Sequence, residues 1–445
     1  FDSGSKWGDG IPPFFQHLND PQSGHTVAGG PGTLHTYDAA SDPALAFDSQ
    51  GNAFYSCVLF DVNSLATAVF VTLSPASAGG SFYNNVPTSG TSYVAVEDNS
   101  TAAEHDKEFI VADSFKNSPF RDNVYVTWTV FNFTCGSTHD QYCSSPIYFS
   151  RSTDHAVTWS QPVEISGNNP SLCFQGNAFD PNRNPNDCDF DQGSDPIVLP
   201  DGTIVVVFNN GNSAPGNPNA QQLAVRSTDG GLTWSQPAKV GDDIVVGEPL
   251  CDFGRGPEEC VPGPFIRTDD FPRIAVDRNR GIVYSVWQDY RRGTEYDIQL
   301  AQSTDGGLTW TDASQAVNSS TGLDHYMPAV DVASRSSSSN VAVSYYASPQ
   351  PQTPSQIGTL GQEYFLSGGT ELATPFKEVR VARMTPAPDG IQAGFNGDYS
   401  GLVVVGTKAH PIWSDTRNQV PPSVGDQGVT HDEDIFTIAL DVPRR

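Results

Sequence analysis

One short pattern returns three times in this chain, as RSTDHAVTWS at 151–160, RSTDGGLTWS at 226–235 and QSTDGGLTW at 302–310. Each copy follows an apolar run (IYF, LAV, IQLA) and precedes a polar stretch, which is the arrangement of a hairpin between two strands. A turn that recurs three times implies a repeat architecture. The residue types account for the turn. Asp154, Asp229 and Asp305 are expected to accept hydrogen bonds from N–H groups one and two residues on, and Gly230, Gly231, Gly306 and Gly307 allow the positive φ of a tight turn. Trp159, Trp234 and Trp310 would cover the hairpin with apolar area. The first copy carries His155 and Ala156 where the others have glycine.

Six stretches share a second regularity: a polar, Asp-bearing start, an apolar strand, a turn and another apolar strand. They begin near Ser41, His105, Ser194, Asp269, Asp324 and Gly397. A third strand follows each, and in three units the repeated turn comes next. Four-stranded units in series predict an all-β propeller of six or seven blades, a seventh being available only from poorly patterned pieces. Degenerate copies of the turn are expected at 74–82 and 386–390. Third-strand material occurs at 434–440, so residues 1–40 are expected to complete the last blade. Nothing marks a second domain, and residues 1–445 read as one.

Gly 41 and Pro 34 break the 445 residues too often for long helices, and 25 Phe, 15 Tyr and 7 Trp favour sheet. A formal charge of −28 argues against nucleic acid and against anionic membranes as partners. Cys135 with Cys143, Cys173 with Cys188, and Cys251 with Cys260 are spaced as three loop-stapling disulfides, with Cys57 unpaired on an apolar strand. No C-x-x-C or paired-His spacing supports zinc. Disulfides, the Asn-x-Ser/Thr acceptors at Asn99, Asn132 and Asn318, and a start at Phe1 without methionine or signal segment lead us to expect a processed, secreted monomer. The loop 166–193 is rich in oxygen ligands, and Asp180, Asp187, Asp189 or Asp191 could hold Ca²⁺; no organic cofactor is expected.

The motif S-x-D-x-G-x-T-W is similar to the Asp-box of sialidase-like β-propellers, which is structural in that family. In such blades the strand-one starts and the ends of second strands share one face, opposite the boxes. These positions supply His105, Lys107, Glu108, Arg273, His325, Tyr326 and Tyr399, then Tyr290, Arg291 and Arg292 in VWQDYRRG and Arg417 in IWSDTR. The repeated W-x-D-x-R fits a structural Asp–Arg pair as well as a carboxylate-binding role. A rim of this composition suits a charged sugar.

A sialidase needs an arginine triad, a Tyr–Glu nucleophile pair and an Arg-Ile-Pro signature near the start. Here Gly10-Ile11-Pro12-Pro13 lacks the arginine and the first arginine is Arg121. A uronate lyase needs a base at C5, a positive partner for the C6 carboxylate and an acid at O4. The EHDKEF start, the cysteine-stapled loops and the length resemble fungal L-rhamnose-α-1,4-D-glucuronate lyases, polysaccharide lyases that act on gum arabic side chains. That resemblance implies exo-acting β-elimination on acidic plant polysaccharide, His105 as base and then acid, a seven-bladed propeller and a bound calcium ion. The alternatives are an exo-sialidase or other glycoside hydrolase, and a sugar-binding propeller without catalysis.

Overall fold

The computed structural model describes residues 27–28, 35–78, 94–134, 142–254, 256–313, 315–334, 339–390, 393–420 and 430–444. The apolar runs pair as antiparallel sheets of consecutive strands, each a propeller blade. The first blade is Ala39–Phe47, Ala53–Phe60, Thr67–Ser74 and Val94–Asp98. The second is Ala103–Ala112, Val124–Asn132, Ile147–Ser152 and Val163–Glu164. The third is Asp191–Val198, Ile204–Asn210, Ala220–Ser227 and Ala238–Asp243. Arg273–Val276, Val283–Asp289, Asp297–Ser303 and Thr311–Asp312 form the fourth. Leu323–Ser334, Ser339–Pro349, Gln362–Gly369 and Lys377–Thr385 form the fifth.

In the sixth blade Gly401–Val405 pairs with Lys408–Gln419, whose other edge carries both His431–Thr437 and Leu440–Asp441. The fold is thus the all-β, sialidase-like propeller expected, with six such sheets among the described residues. A separate three-stranded sheet, Leu250–Asp252, Pro257–Val261 and Ile266–Arg267, is inserted before the fourth blade. The chain divides into two compact units, Phe1–Asn217 with Leu223–Lys239, and Pro218–Gln222 with Val240–Arg445. Most of residues 1–40, expected to complete the last blade, lie outside the described residues; Val27–Ala28 pairs with Thr36–Tyr37.

Burial follows from strand periodicity. Val124, Val126, Trp128 and Val130 pack with Phe54, Val69 and Ile110, whereas Tyr125, between them in sequence, packs with Phe149, Val206 and Phe208. Alternate side chains point to opposite faces, so this strand is buried along nearly its whole length because both of its faces are covered. Tyr284 and Val286 of the fourth blade pack in the same way with Val330, Val341 and Val343 of the fifth.

All three boxes join third to fourth strands and use one set of hydrogen bonds. Ser152, Ser227 and Ser303 donate to the Oδ1 atoms of Asp154, Asp229 and Asp305 at 2.7, 2.8 and 2.8 Å. The same serine hydroxyls accept the N–H of Ala156, Gly231 and Gly307. Each aspartate then accepts both the backbone N–H and the hydroxyl of Thr158, Thr233 or Thr309. These donors lie four residues on, not one and two as expected, because the turn curls back over the aspartate. His155 and Ala156 adopt φ of 59° and 65°, the left-handed conformation that glycines take in the other copies. The weaker copies differ: Ser74 ends a strand before a 3₁₀ turn, and Asp389 caps Thr430. The remainder of 74–82 lies outside the described residues.

A feature absent from the sequence reading lies in the first strands. Four carry a bulge, between Ser41 and Ala44, Asp106 and Phe109, Gln192 and Asp195, and Tyr326 and Ala329. Each has one left-handed residue inside it, namely Asp42, Lys107, Gly193 and Met327. A bulge re-aims the side chains around it, and so decides which residues of each strand start face inward.

Cys173–Cys188 and Cys251–Cys260 are disulfides, and Cys57 is free and buried. Cys143 is disulfide-bonded, while its expected partner Cys135 lies outside the described residues.

A Cβ on Gly231 would stand 2.3 Å from Cζ of the buried Phe149 ring, at a φ of +84°. Gly231→Ala is therefore expected to cost roughly 2 kcal/mol or more, read by urea unfolding. Unchanged stability would show that the box turn yields freely.

Candidate functional site

Two clusters have chemical potential, one in each compact unit. In the first, the bulged strand Ala103–Ala112 carries His105, which is 6% exposed. Its N–H donates to Thr67 Oγ1 at 2.8 Å, and Trp128 Nε1–H donates to its Nδ1 at 2.9 Å. The Trp128 bond uses the Nδ1 lone pair, so the neutral imidazole carries its proton on Nε2. Nε2 has no hydrogen-bond partner among the described residues. Burial pushes the ring down to about 4, against a weaker pull from Asp98. Lys107 Nζ lies 3.9 Å from Asp42 Oδ1. Glu108 is fully buried beneath the strand, where Ser56 donates to Oε1 at 3.2 Å and Oε2 is unpartnered. Burial raises its carboxyl well above the ordinary range. Expected to contact substrate, Glu108 is instead turned into the interior by the bulge.

In the second unit the inserted sheet contributes Glu259, the preceding turn Glu248, and the start of the fourth blade Asp270. Carboxylate oxygens of the three lie within 4.8 Å of one another. Gln288 Nε2 donates to Glu259 at 2.8 Å, and Gln288 Oε1 accepts from Thr268 and from the Met327 N–H. Asp270 is 5% exposed, its oxygens accept no N–H or hydroxyl hydrogen bond, and its charged neighbours are the carboxyls of Asp243, Glu259 and Glu248; the buried Tyr296 hydroxyl has no hydrogen-bond partner. Among the described residues no lysine or arginine pairs with these three acids. Burial, then the neighbouring carboxylates, raise Glu259 well above the ordinary range. Asp270 is raised in the same way, and burial takes Glu248 to about 7. Glu248 and Glu259 were not among the residues expected from the sequence, whereas Asp270 directly follows Asp269, at which the fourth stretch begins. The available signal was GEPLCDFGRGPEEC, with Glu259 inside the Cys251–Cys260 loop and Glu248 just before it.

The remaining expected residues are distributed differently. His325 is fully buried, with Nε2 2.9 Å from Ser320 Oγ and Nδ1 3.3 Å from the Tyr296 carbonyl. Tyr326 is also fully buried, stacked on Tyr346 with its hydroxyl on Gln362. Both were expected on the rim; packing inside the fifth blade takes them off it.

Arg291 binds Asp289 at 2.8 Å, Arg292 binds Glu295 and Asp297, and Arg417 binds Asp415. The W-x-D-x-R pattern is therefore an internal ion pair in both copies. Tyr290 lies edge-on to Tyr296 at 5.1 Å, and Arg273 lies over the Tyr399 ring at 5.5 Å.

In the acidic loop Asp180 caps Asn182, while Asp187 and Asp189 face the guanidinium of Arg183. Arg183 thus stands where the loop was expected to hold a cation, and Asp191 instead accepts from Asn210. Asn318 is buried, donating to Asp297 and accepting the Ile298 N–H, so the folded chain offers no sugar acceptor there.

No known protein-family profile matches the chain. Xyloglucanase Xgh74A of Acetivibrio thermocellus is 31% identical over 207 residues, covering 36% of this chain and 22% of that enzyme. The chain thus spans about a fifth of the length of the curated relatives it matches. Among solved structures, a protein of unknown function from Dyadobacter fermentans aligns with 91% of this chain and 95% of its own, at 12% identity and a TM-score of 0.51. The Hadza microbial sialidase Hz136 aligns with 85% of this chain and 64% of its own, at 13% identity and a TM-score of 0.49. An α-L-arabinanase of Penicillium chrysogenum covers 91% and 93% at 10% identity and a TM-score of 0.43. At these identities the likeness is one of fold.

The two buried histidines make a pH prediction. Burial holds both His105 and His325 at about 4, below the 6.5 of an exposed imidazole. Between those values the unfolded chain binds more protons at these two positions, so their contribution to stability should fall as pH drops from about 6.5 towards 4, opposite in sign to that of raised carboxyls such as Glu248. Urea unfolding of the native chain and of His105→Gln at pH 7 and pH 5 reads the histidine's share, and the variant should lose less stability, or gain more, on going to pH 5. An identical slope in the variant would show that His105 does not titrate in that window.

Proposed function

We propose that this chain is a secreted carbohydrate-active enzyme that cuts a glycosidic bond. More finely, we propose an exo-acting lyase that releases terminal L-rhamnose from L-rhamnosyl-α-1,4-D-glucuronate by β-elimination. The observation that carries this reading is His105, a buried imidazole held neutral with Nε2 unpartnered, two residues from a lysine on a bulged strand. In the elimination His105 takes the C5 proton, the C5 electron pair forms the C4=C5 double bond, and O4 leaves with the proton that His105 returns. Lys107 supplies positive charge towards the C6 carboxylate.

Acting as base requires the lone pair on Nε2, hence the other tautomer and loss of the Trp128 bond. That loss leaves the buried Trp128 N–H unsatisfied and facing Nδ1–H, at a cost of about 1–3 kcal/mol or more, still small against the whole barrier. The reactive tautomer is a minor but accessible form.

A hard cation such as Ca²⁺ fits Glu248, Glu259 and Asp270, because the Asp270 oxygens lack the counter-charge such a cluster needs. When bound it would supply charge neutralisation and tie the inserted sheet to the fourth blade. The expected outcome is a melting temperature raised by Ca²⁺ and lowered by chelator in the native chain, a response that Asp270→Asn loses. Identical melting with and without Ca²⁺ would remove calcium from the proposal.

The same cluster favours a second reading. Retaining glycoside hydrolases place two carboxyl groups about 5–5.5 Å apart, and the oxygens here lie within 4.8 Å. Incubation with gum arabic separates the two. Released rhamnose with rising ultraviolet absorbance marks elimination, and His105→Ala should then lower kcat by about 10²-fold or more while the fold persists. The acid limb of kcat/KM should lie near pH 4, the value burial gives His105. Rhamnose with flat absorbance marks hydrolysis and moves attention to Glu259→Gln. With no release, the remaining expectation is sugar binding without catalysis.

A further inference from the structure

The second unit contains a cavity of about 450 Å³ that neither cluster uses, lined by Pro264, Phe265, Ile357, Pro386, Asp389 and His431 among others. Its wall is the tip of the hairpin that carries Glu259, where Cys260 pairs with Arg267 and Val261 with Ile266. The tip is Pro262-Gly263-Pro264-Phe265, closed by the Phe265 N–H on the Pro262 carbonyl at 3.2 Å. Gly358 and Leu360 N–H groups bond the Pro262 and Gly263 carbonyls, so a second loop braces it. Phe265 adopts a φ of 59°, which a large side chain takes only at a cost of roughly 1–3 kcal/mol. Its ring is fixed against Phe253 at 4.9 Å. Strain of this kind persists where the surroundings impose it, and here it places an aromatic ring in a cavity wall.

The lining also contains a polar pair. His431 Nδ1 lies 3.3 Å from Asp389 Oδ2, and the N–H and hydroxyl of Thr430 also bind this carboxylate. With Nδ1–H directed to Asp389, neutral His431 keeps an acceptor lone pair on Nε2. Burial opposes ionisation, but the hydrogen bonds from Thr430 and then His431 together outweigh it and pull Asp389 down to about 2, so the carboxylate is charged. It is the one carboxylate among the lining residues, and no lysine or arginine joins it.

We infer that this cavity is a second saccharide-binding site, selective for an uncharged sugar unit. Sugar C–H groups would lie on Phe265 and the two prolines, and sugar hydroxyls would donate to His431 Nε2 and Asp389. An anionic sugar is repelled by Asp389, since no lysine or arginine lines the cavity. The inference rests on the reading that the chain handles glycans, and it adds recognition of a neutral unit apart from the acidic one at which the bond is cut.

The test is calorimetric titration of the full chain with methyl α-L-rhamnopyranoside, methyl β-D-galactopyranoside and methyl β-D-glucuronide. The expected result is millimolar binding of at least one neutral glycoside, and at least tenfold weaker binding of the glucuronide at low salt. Phe265→Gly, which relieves the left-handed strain, and Asp389→Asn should each weaken the neutral glycoside about tenfold while the melting transition remains. Equal affinity for charged and neutral glycosides, no binding at all, or binding indifferent to both variants would overturn it. The readout is binding, so it stands or falls separately from turnover: binding in a chain that cleaves nothing keeps this site and removes the catalytic reading.

Discussion

The hydrogen bonds gathered by the aspartate of each box are the interaction on which the blades depend. A serine hydroxyl, a backbone N–H and a threonine hydroxyl converge on Asp154, Asp229 and Asp305, and hold a turn that sends the third strand back as the fourth. Burial opposes ionisation of Asp229, but these donors outweigh it and draw the carboxyl down to about 2. The charge is stabilised by fixed dipoles and not by a lysine or arginine, which suits a chain so short of cations. The turn is strong enough to impose left-handed geometry on His155 and Ala156, where glycine is absent.

The chemistry depends on a different backbone device. Bulges in four first strands put a left-handed residue beside the groups that matter, turning Glu108 into the interior and leaving His105 with one nitrogen on Trp128. The same device buries Tyr326. Acidic residues dominate the chain, and its arginines are largely consumed by them: Arg183, Arg291, Arg292 and Arg417 all face carboxylates of nearby residues. Glu248, Glu259 and Asp270 have no such partner among the described residues and lie together. That makes the cluster chemically distinctive in spite of the surplus of negative charge around it.

Much of the fold was legible because its signals are local. The box needs serine, aspartate and threonine at fixed offsets, and the strands need apolar runs of the right length, so both can be read from neighbours in sequence. Two of the cysteine couples, Cys173–Cys188 and Cys251–Cys260, were legible for the same reason. The site was less so. For Arg291 and Arg417 the repeated pattern fitted internal pairing and substrate binding equally, and the structure gives internal pairing, with Asp289 and Asp415 two residues before them. Glu259 was not found, because its neighbours Glu248 and Asp270 are brought to it by an inserted sheet. The acids of 180–191 misled, because Arg183 lies within the same loop and takes the place of a metal.

By itself, then, the amino-acid order determined the β architecture, the repeated turns and the disulfide couples, since each rests on contacts between residues close in the chain. Only the tertiary structure decided which titratable groups lose water. Desolvation depends on what the other strands and blades lay over a side chain: Trp128 over His105, the interior over Glu108, and three separate segments around Asp270. That is a sum over distant residues, and no local pattern encodes it.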